Sequence, residues 1–355
     1  MSNPAPATWH PAQVTGAVWA HGFSRWKQAA VRLCFANAQV HFIDRWPVLP
    51  KAATVVVWGL AELPANAGTD QWQVIRIEDG FLRSVGLGAD LIRPVSWVVD
   101  PVGIYYDART PSRLETLLQS GIEDEESLRR ARQLQETVRS SGLTKYNVGT
   151  SEWRPPQGVR RIVLAVGQVE SDASLAAGGG DIRTNWSLLQ AVRAECAPGD
   201  YLIYKPHPDV VARLRAEGVE EHRADTLADE VIVDLDMSRL LDLVDEVHVM
   251  TSLAGFEALL RGRKVVCHGK PFFSGWGLTE DRCALPRRSR TLSLEALIAG
   301  TLILYPVYFD WTRNTLTTPE TATEHLLAEK KRMGGKLPWW RRGMRVILRL
   351  VVGVR

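Results

Sequence analysis

Between residues 161 and 277 the chain repeats one pattern: a short apolar run, a polar turn, then a helical segment. Its clearest forms are VLAVGQVESDAS (Val163–Ser174), YLIYKPHP (Tyr201–Pro208) and DEVHVMTSLAGFEALLRGRKVVCHGKPFFSGWG (Asp245–Gly277). Runs of strand length fall at Ile162–Val166, Tyr201–Tyr204, Val231–Val233, Glu246–Met250 and Lys264–Cys267. Helical patterns fall between them at Asn185–Glu195, Pro208–Glu217, Ser238–Leu243 and Leu253–Arg261. Strands alternating with helices of this length predict a parallel sheet with right-handed crossovers. The polar residues sit at the ends of the apolar runs, where an open α/β sheet places its ligands.

The first half carries shorter β-rich runs at Gln39–Ile43, Thr54–Trp58, Val74–Ile77 and Trp97–Val99, and a helix at Glu125–Ser140. The polar segment Ser141–Gly158, which holds a Pro-Pro pair, reads as a linker. A chain of 355 residues is long enough for two α/β domains, each with its own core. We therefore expect an N-terminal α/β domain over residues 1–150 and a nucleotide-binding α/β domain over 159–310, followed by helices and a basic tail over 311–355. Two such halves joined by a linker predict a cleft, the plan of a two-domain transferase. After Gly277 an Arg-rich loop and more helix follow, and this part can cross back onto the first domain. Thirteen Trp is a high number, so some should line a cleft or an interface.

The net charge of +3 hides an asymmetry, because residues from Lys330 to Arg355 hold nine Lys and Arg and no acid. In LPWWRRGMRVILRLVVGV the arginines suit anionic headgroups, while Trp339, Trp340, Ile347 and Leu348 suit the interface. The apolar run is too short and too broken by Arg to span a bilayer. The expected location is cytoplasmic, peripheral at the inner membrane. The N-terminus has no signal-peptide pattern. Cys34, Cys196, Cys267 and Cys283 show no metal-ligand spacing and read as reduced thiols. Metalloprotease, P-loop and serine-hydrolase motifs are absent, as are the signatures of a nucleic-acid module.

Several polar groups can carry chemistry. His207 stands at a strand-to-helix turn after Lys205-Pro206, where an imidazole can donate to a phosphate oxygen; as a bland alternative it is a helix cap. Thr251 and Ser252 precede a helix and can cap it or bind phosphate, and Glu257 lies within reach of a ribose diol. The loop Gly167–Ser174 offers Gln168 and two carboxylates, Glu170 and Asp172, as a nucleophile or base requires. Arg183 can pair with a substrate carboxylate. Glu78-Asp79-Gly80 places two acids at a strand end of the first domain, with Arg83 close enough to steady them. PFFSGWG (Pro271–Gly277) can stack a base or sugar, or simply pack.

Taken in order, EDGFLRSVGLGADL, DPVGIYYDARTPSRLE, GQVESDAS, YKPHPDV, the long TSLAGFEALLRGRKVVCHGKPFFSGWGLTEDR segment and LSLEALIAGTLILYPVYFD resemble the bacterial β-Kdo glycosyltransferases of the KpsC type. The likeness runs from about Gly22 (GFSRWK) to about Pro319. It implies a GT-B-like fold, two Rossmann-like domains facing a cleft, and CMP-Kdo as donor with no metal. It also implies a glycan or glycolipid acceptor in capsule or lipopolysaccharide assembly in a Gram-negative bacterium. Retention of configuration implies double displacement. By resemblance the nucleophile falls on Asp172, the acid/base on Glu78 and the phosphate-binding imidazole on His207. Lys205, Thr251, Ser252, Glu257, Gln168 and Arg183 complete the expected donor site. A related transferase with another nucleotide sugar, or a non-catalytic scaffold of the assembly complex, is the alternative.

Overall fold

A computed structural model describes residues 9–64, 71–84, 93–144 and 153–333. Part of the expected linker (145–152) and the basic tail from 334 onward lie outside them. The protein is α/β and divides into two compact units. One comprises Met1–Arg83, Pro94–Ala131 and Glu295–Glu324; the other comprises Ser84–Arg93, Arg132–Leu294 and His325–Arg355.

The first unit begins with β1 (Gly16–His21), β2 (Ala38–Ile43), β3 (Thr54–Trp58), β4 (Gln73–Asp79) and β5 (Ser96–Asp100). The second carries β6 (Arg161–Val166), β7 (Asp200–Lys205), β8 (Glu230–Val231), β9 (Glu246–Val249), β10 (Lys264–Cys267) and β11 (Glu280–Asp281). The chain then returns to the first unit with β12 (Pro306–Asp310) and β13 (Thr315–Thr317).

The first sheet is mixed, in the order β13-β12-β5-β4-β3-β1-β2. β2, β1, β3 and β4 run parallel, whereas β5, β12 and β13 pair antiparallel. Strand β3 is TVVVW, whose β-branched side chains suit a pleated surface. Strand β5 is buried along its whole length because β4 and β12 flank it. Its Trp97 and Val99 pack with Val56, Ile75 and Phe309 in the core. The thiol of Cys34, fully buried there, is pushed well up by desolvation.

The second sheet is wholly parallel, in the order β11-β10-β9-β6-β7-β8. Strands buried on both faces read as continuous apolar runs, as RIVLAV of β6 does. This sheet meets the sequence expectation. The helix expected at Pro208–Glu217 does not form at that length. It stops at Val211, and Arg213 adopts φ +55°, a left-handed turn that ends the helical path. All four cysteines are unpaired.

Candidate active site

In the second sheet the chain order reverses at β6: β7 and β8 follow on one side, β9, β10 and β11 on the other. The carboxyl edge between β6 and β9 is therefore a topological switch point, the place where parallel α/β sheets hold ligands. Gln168, Asp172, Ser174 and Thr251 gather there.

Gln168 follows β6 and is 6% exposed. Its Nε2 donates to Ser174 Oγ at 2.9 Å and to Thr251 Oγ1 at 2.7 Å, and its Oε1 accepts from Thr251 N at 3.2 Å. The two hydroxyls lie 3.2 Å apart. Gln168 is itself fixed by the fully buried Asn185, whose Oδ1 accepts from Gln168 N and whose Nδ2 donates to Gln168 O, both at 2.9 Å. One of the two hydroxyl hydrogens joins Ser174 to Thr251. The other has no acceptor among the described residues, so the pair can donate one hydrogen bond outward.

The two acids of this loop are not equivalent. Glu170 accepts from Asn185 N at 2.8 Å through one oxygen and from Val219 N at 3.0 Å through the other. Both of its oxygens brace backbone. Asp172 is exposed and caps the helix Ala173–Gly178, its Oδ1 accepting from Ser174 N at 2.8 Å. Its Oδ2 makes no hydrogen bond among the described residues.

His207 caps the single turn Pro208–Val211. Its Nδ1 accepts from Asp209 N at 3.1 Å, so the neutral ring carries its proton on Nε2 and can donate from that side. Beside this turn opens a cavity of about 680 Å³ lined by Pro206, Val210, Arg213, Arg215 and His222. Lys205 is buried. Its ammonium donates to Val233 O at 3.2 Å, and desolvation lowers its pKa to about 8 against the pull of Asp236 and Asp234. Lys205 thus ties β7 to the segment after β8.

Ser252 Oγ accepts at 3.3 Å from the N–H of Ala254, the first residue of the helix Ala254–Leu259, on which Glu257 is 8% exposed. Arg183 is exposed and its Nε donates to Gly180 O at 3.0 Å. At Gly255 the protein itself makes a close approach, since a Cβ there would meet the Phe273 ring at 2.7 Å. Phe273 and Trp276 are fully buried, so these two rings of PFFSGWG pack. Among the described residues no group of three or more His, Cys, Asp or Glu could hold a metal ion.

In the first unit Glu78 and Asp79 end β4. Arg83 Nε lies 2.6 Å from Asp79 Oδ2 and is almost wholly buried. Sequence reasoning passed over Ser174 and Asn185, and likewise Lys27, which lies over the ring of Trp58. The hydroxyl of GQVESDAS and the GFSRWK segment were the available signals.

Residues 54–148 and 154–308 match the family described as capsule polysaccharide biosynthesis protein. The chain belongs to this family. It is 41% identical over 327 residues to the capsule polysaccharide modification protein LipA of Neisseria meningitidis, matching 90% of this chain and 46% of LipA. The chain thus spans about half the length of LipA. It is 39% identical to the lipopolysaccharide-processing protein LpsZ of Rhizobium meliloti, covering 87% of this chain and 74% of LpsZ.

Two solved chains of KpsC from Thermosulfurimonas dismutans resemble the structure of this family member. The β-Kdo 2,7 transferase superposes with TM-score 0.72 at 35% identity, over 88% of this chain and 99% of its own. The β-Kdo 2,4 transferase superposes with TM-score 0.75 at 32% identity, over 87% and 97%.

Proposed function

We propose that this chain is a retaining β-Kdo glycosyltransferase that moves Kdo from CMP-Kdo to a glycan or glycolipid acceptor in capsule or lipopolysaccharide assembly. The observation that carries this reading is the likeness to two Kdo transferase chains over nearly their full length. The grouping of Gln168, Asp172 and Thr251 at the switch point of the second sheet supports it. A GT-B-like arrangement of two facing domains is part of the proposal.

In the first step an Asp172 carboxylate oxygen attacks the anomeric carbon of Kdo. The bond from that carbon to the phosphate oxygen breaks, and CMP leaves with the electron pair. His207 Nε2–H and the Ser174/Thr251 hydroxyl pair donate to the departing anion. In the second step the acceptor oxygen attacks the same carbon, its proton passes to Glu78, and Asp172 is released as carboxylate. Two inversions leave the configuration unchanged. Of the two acids in the loop, Asp172 is the better nucleophile, because Glu170 has both oxygens engaged by backbone N–H groups.

Mass spectrometry of the protein after brief incubation with CMP-Kdo tests the scheme. The expected result is a Kdo-sized adduct on the peptide that holds Asp172. Turnover with no adduct, together with an active Asp172→Asn variant, would remove the covalent route.

A further inference from the structure

The cavity of about 680 Å³ beside the turn Pro208–Val211 takes no part in the transfer steps, yet the second unit builds it from several elements. Tyr204 of β7 and Val231 of β8 are register partners, and both line it. Pro206, Val210 and Val211 give it an apolar side. The segment after Val211 contributes Arg213, Arg215 and Glu217, and the 3-10 helix Glu221–Thr226 contributes Glu221, His222 and Asp225. The wall is held from within. Buried Glu221 accepts from the Tyr204 hydroxyl through Oε1 and from Gly218 N at 2.7 Å through Oε2. The next amide, Val219 N, is held by Glu170 at 3.0 Å. The other charged groups of the lining are not spent in this way. The exposed side chains of Arg213, Arg215, Glu217, His222 and Asp225 make no hydrogen bond or ion pair among the described residues. Arg213 holds φ +55° and Glu220, just before the 3-10 helix, φ +57°. Non-glycine residues keep such angles where their surroundings impose them, as at ligand clamps.

We propose that this cavity is an acceptor subsite for one acidic sugar residue, whose carboxylate pairs with Arg213 and Arg215. This rests on reading the chain as a glycosyltransferase with a glycan or glycolipid acceptor. A guanidinium presents its N–H fork to a carboxylate. Glu217 and Asp225 accept from sugar hydroxyls, and the side formed by Pro206, Val210 and Val211 takes the C–H face of the ring. Cations and acids in one cavity select for a ligand that carries both a carboxylate and hydroxyls. A bare anion such as phosphate would meet Glu217 and Asp225 as like charges. An apolar ligand would strip water from five polar side chains and return nothing. The subsite is separate from the Ser174/Thr251 pair. It opens at β7 and β8, whereas that pair stands between β6 and β9, and β7 and β9 lie on opposite sides of β6, roughly 10 Å apart. A sugar held here leaves those hydroxyls to the donor phosphate.

The test is a saturation-transfer NMR titration with the methyl glycoside of Kdo, run with saturating CMP to fill the donor site. It compares the wild type with R215A and R213N/R215A, where Asn is chosen because it tolerates the left-handed backbone. The wild type should bind this glycoside and not methyl glucoside, which lacks the carboxylate. The double variant should weaken binding at least about tenfold, the scale of one charged hydrogen bond. R215A, which leaves the turn at Arg213 untouched, should show a smaller loss and stands in if the double variant does not fold. Affinity for CMP, read by isothermal titration, should not change. Unchanged glycoside affinity in a folded variant, or equal binding of the glucoside, would overturn the subsite. So would a parallel loss of CMP affinity, which would put the arginines in the donor site. A wild type that binds the glycoside as expected but neither transfers nor hydrolyses Kdo from CMP-Kdo would sink the transferase reading and keep the sugar site. A wild type that turns over CMP-Kdo without binding the glycoside would do the reverse.

Discussion

Gln168 reaches from the loop after β6 to the turn after β9, where its Nε2 donates to Thr251 Oγ1 at 2.7 Å and its Oε1 accepts from Thr251 N at 3.2 Å. This bridge sets the direction of the Ser174/Thr251 hydroxyl pair. Removing one partner of a buried hydrogen bond typically costs about 1–3 kcal/mol, roughly 5- to 150-fold in a binding constant. Thr251→Val keeps the side-chain shape and loses the hydroxyl, so its affinity for CMP should fall within that range. Gln168→Ala, which frees both hydroxyls, should fall further. Isothermal titration with CMP and with cytidine checks this. The loss should appear with CMP and not with cytidine, and equal losses for both would place the pair away from the phosphate.

Glu170 and Asp172 are two residues apart, but they predict opposite phenotypes. Glu170 braces Asn185 N and Val219 N. Glu170→Gln should lower stability by about 1.5–3 kcal/mol, the scale of hydrogen bonds to a charged group, and leave much of the turnover intact. Asp172→Asn should retain CMP binding and lose turnover by a factor of roughly a thousand or more, because an amide does not form the adduct. Thermal melts and transfer assays on both variants decide the matter. A stable but inactive Glu170→Gln would exchange the two roles.

The parallel sheet was legible because its strands are continuous apolar runs bounded by turns, and RIVLAV and DYLIYK need no long-range information to be read. The return of β12 to pair with β5 was not legible as a strand, since its partners Val98 and Trp97 lie some two hundred positions earlier in the chain. The helix at Pro208–Glu217 was overread because apolar spacing continues past Val211, whereas the backbone turns at Arg213. At the site the residue types were visible, and their division of labour was not. That Glu170 is a brace depends on Val219, 49 positions away. That Phe273 packs depends on the space left by Gly255. Local pattern carries secondary structure and candidate chemistry; the pairing of polar groups is a property of the tertiary fold.

Glu246, His248 and His268 form a buried line in the second unit. His248 Nε2 lies 2.8 Å from Glu246 Oε1, and His248 Nδ1 lies 3.0 Å from His268 Nε2. The His248 hydrogen bond, with help from Lys264 and Arg161, holds Glu246 down at about 2. Burial, then the neighbouring His248, lowers His268 to about 4. Between pH 6.5 and pH 4 the unfolded chain therefore takes up a proton that folded His268 refuses, and stability falls as pH drops through that window. The loss is at most roughly 3 kcal/mol. Denaturant melts of the wild type and of His268→Gln between pH 7 and pH 4 should show a shallower decline in the variant. Parallel declines would exclude His268 as the group responsible.

The basic tail gives a final prediction, and Lys330 sets where the cut must fall. Lys330 donates to Ser141 O at 3.4 Å and to Gly142 O, carbonyls at the end of the helix Glu125–Ser140. A cation spent on a helix C-terminus contributes to the fold, so removing it would confound a membrane assay. Truncation after Met333 keeps this contact and removes residues 334–355, which hold six Lys and Arg and no acid. Among the described residues no helix is long and apolar enough to cross a membrane. If the tail binds anionic headgroups at about 1 kcal/mol per basic residue, the truncated protein should leave phosphatidylglycerol/phosphatidylethanolamine vesicles in a sedimentation assay. The full chain should stay bound at low salt and detach progressively as salt rises. Equal binding by the truncated protein would move the membrane contact off the tail and onto the folded units.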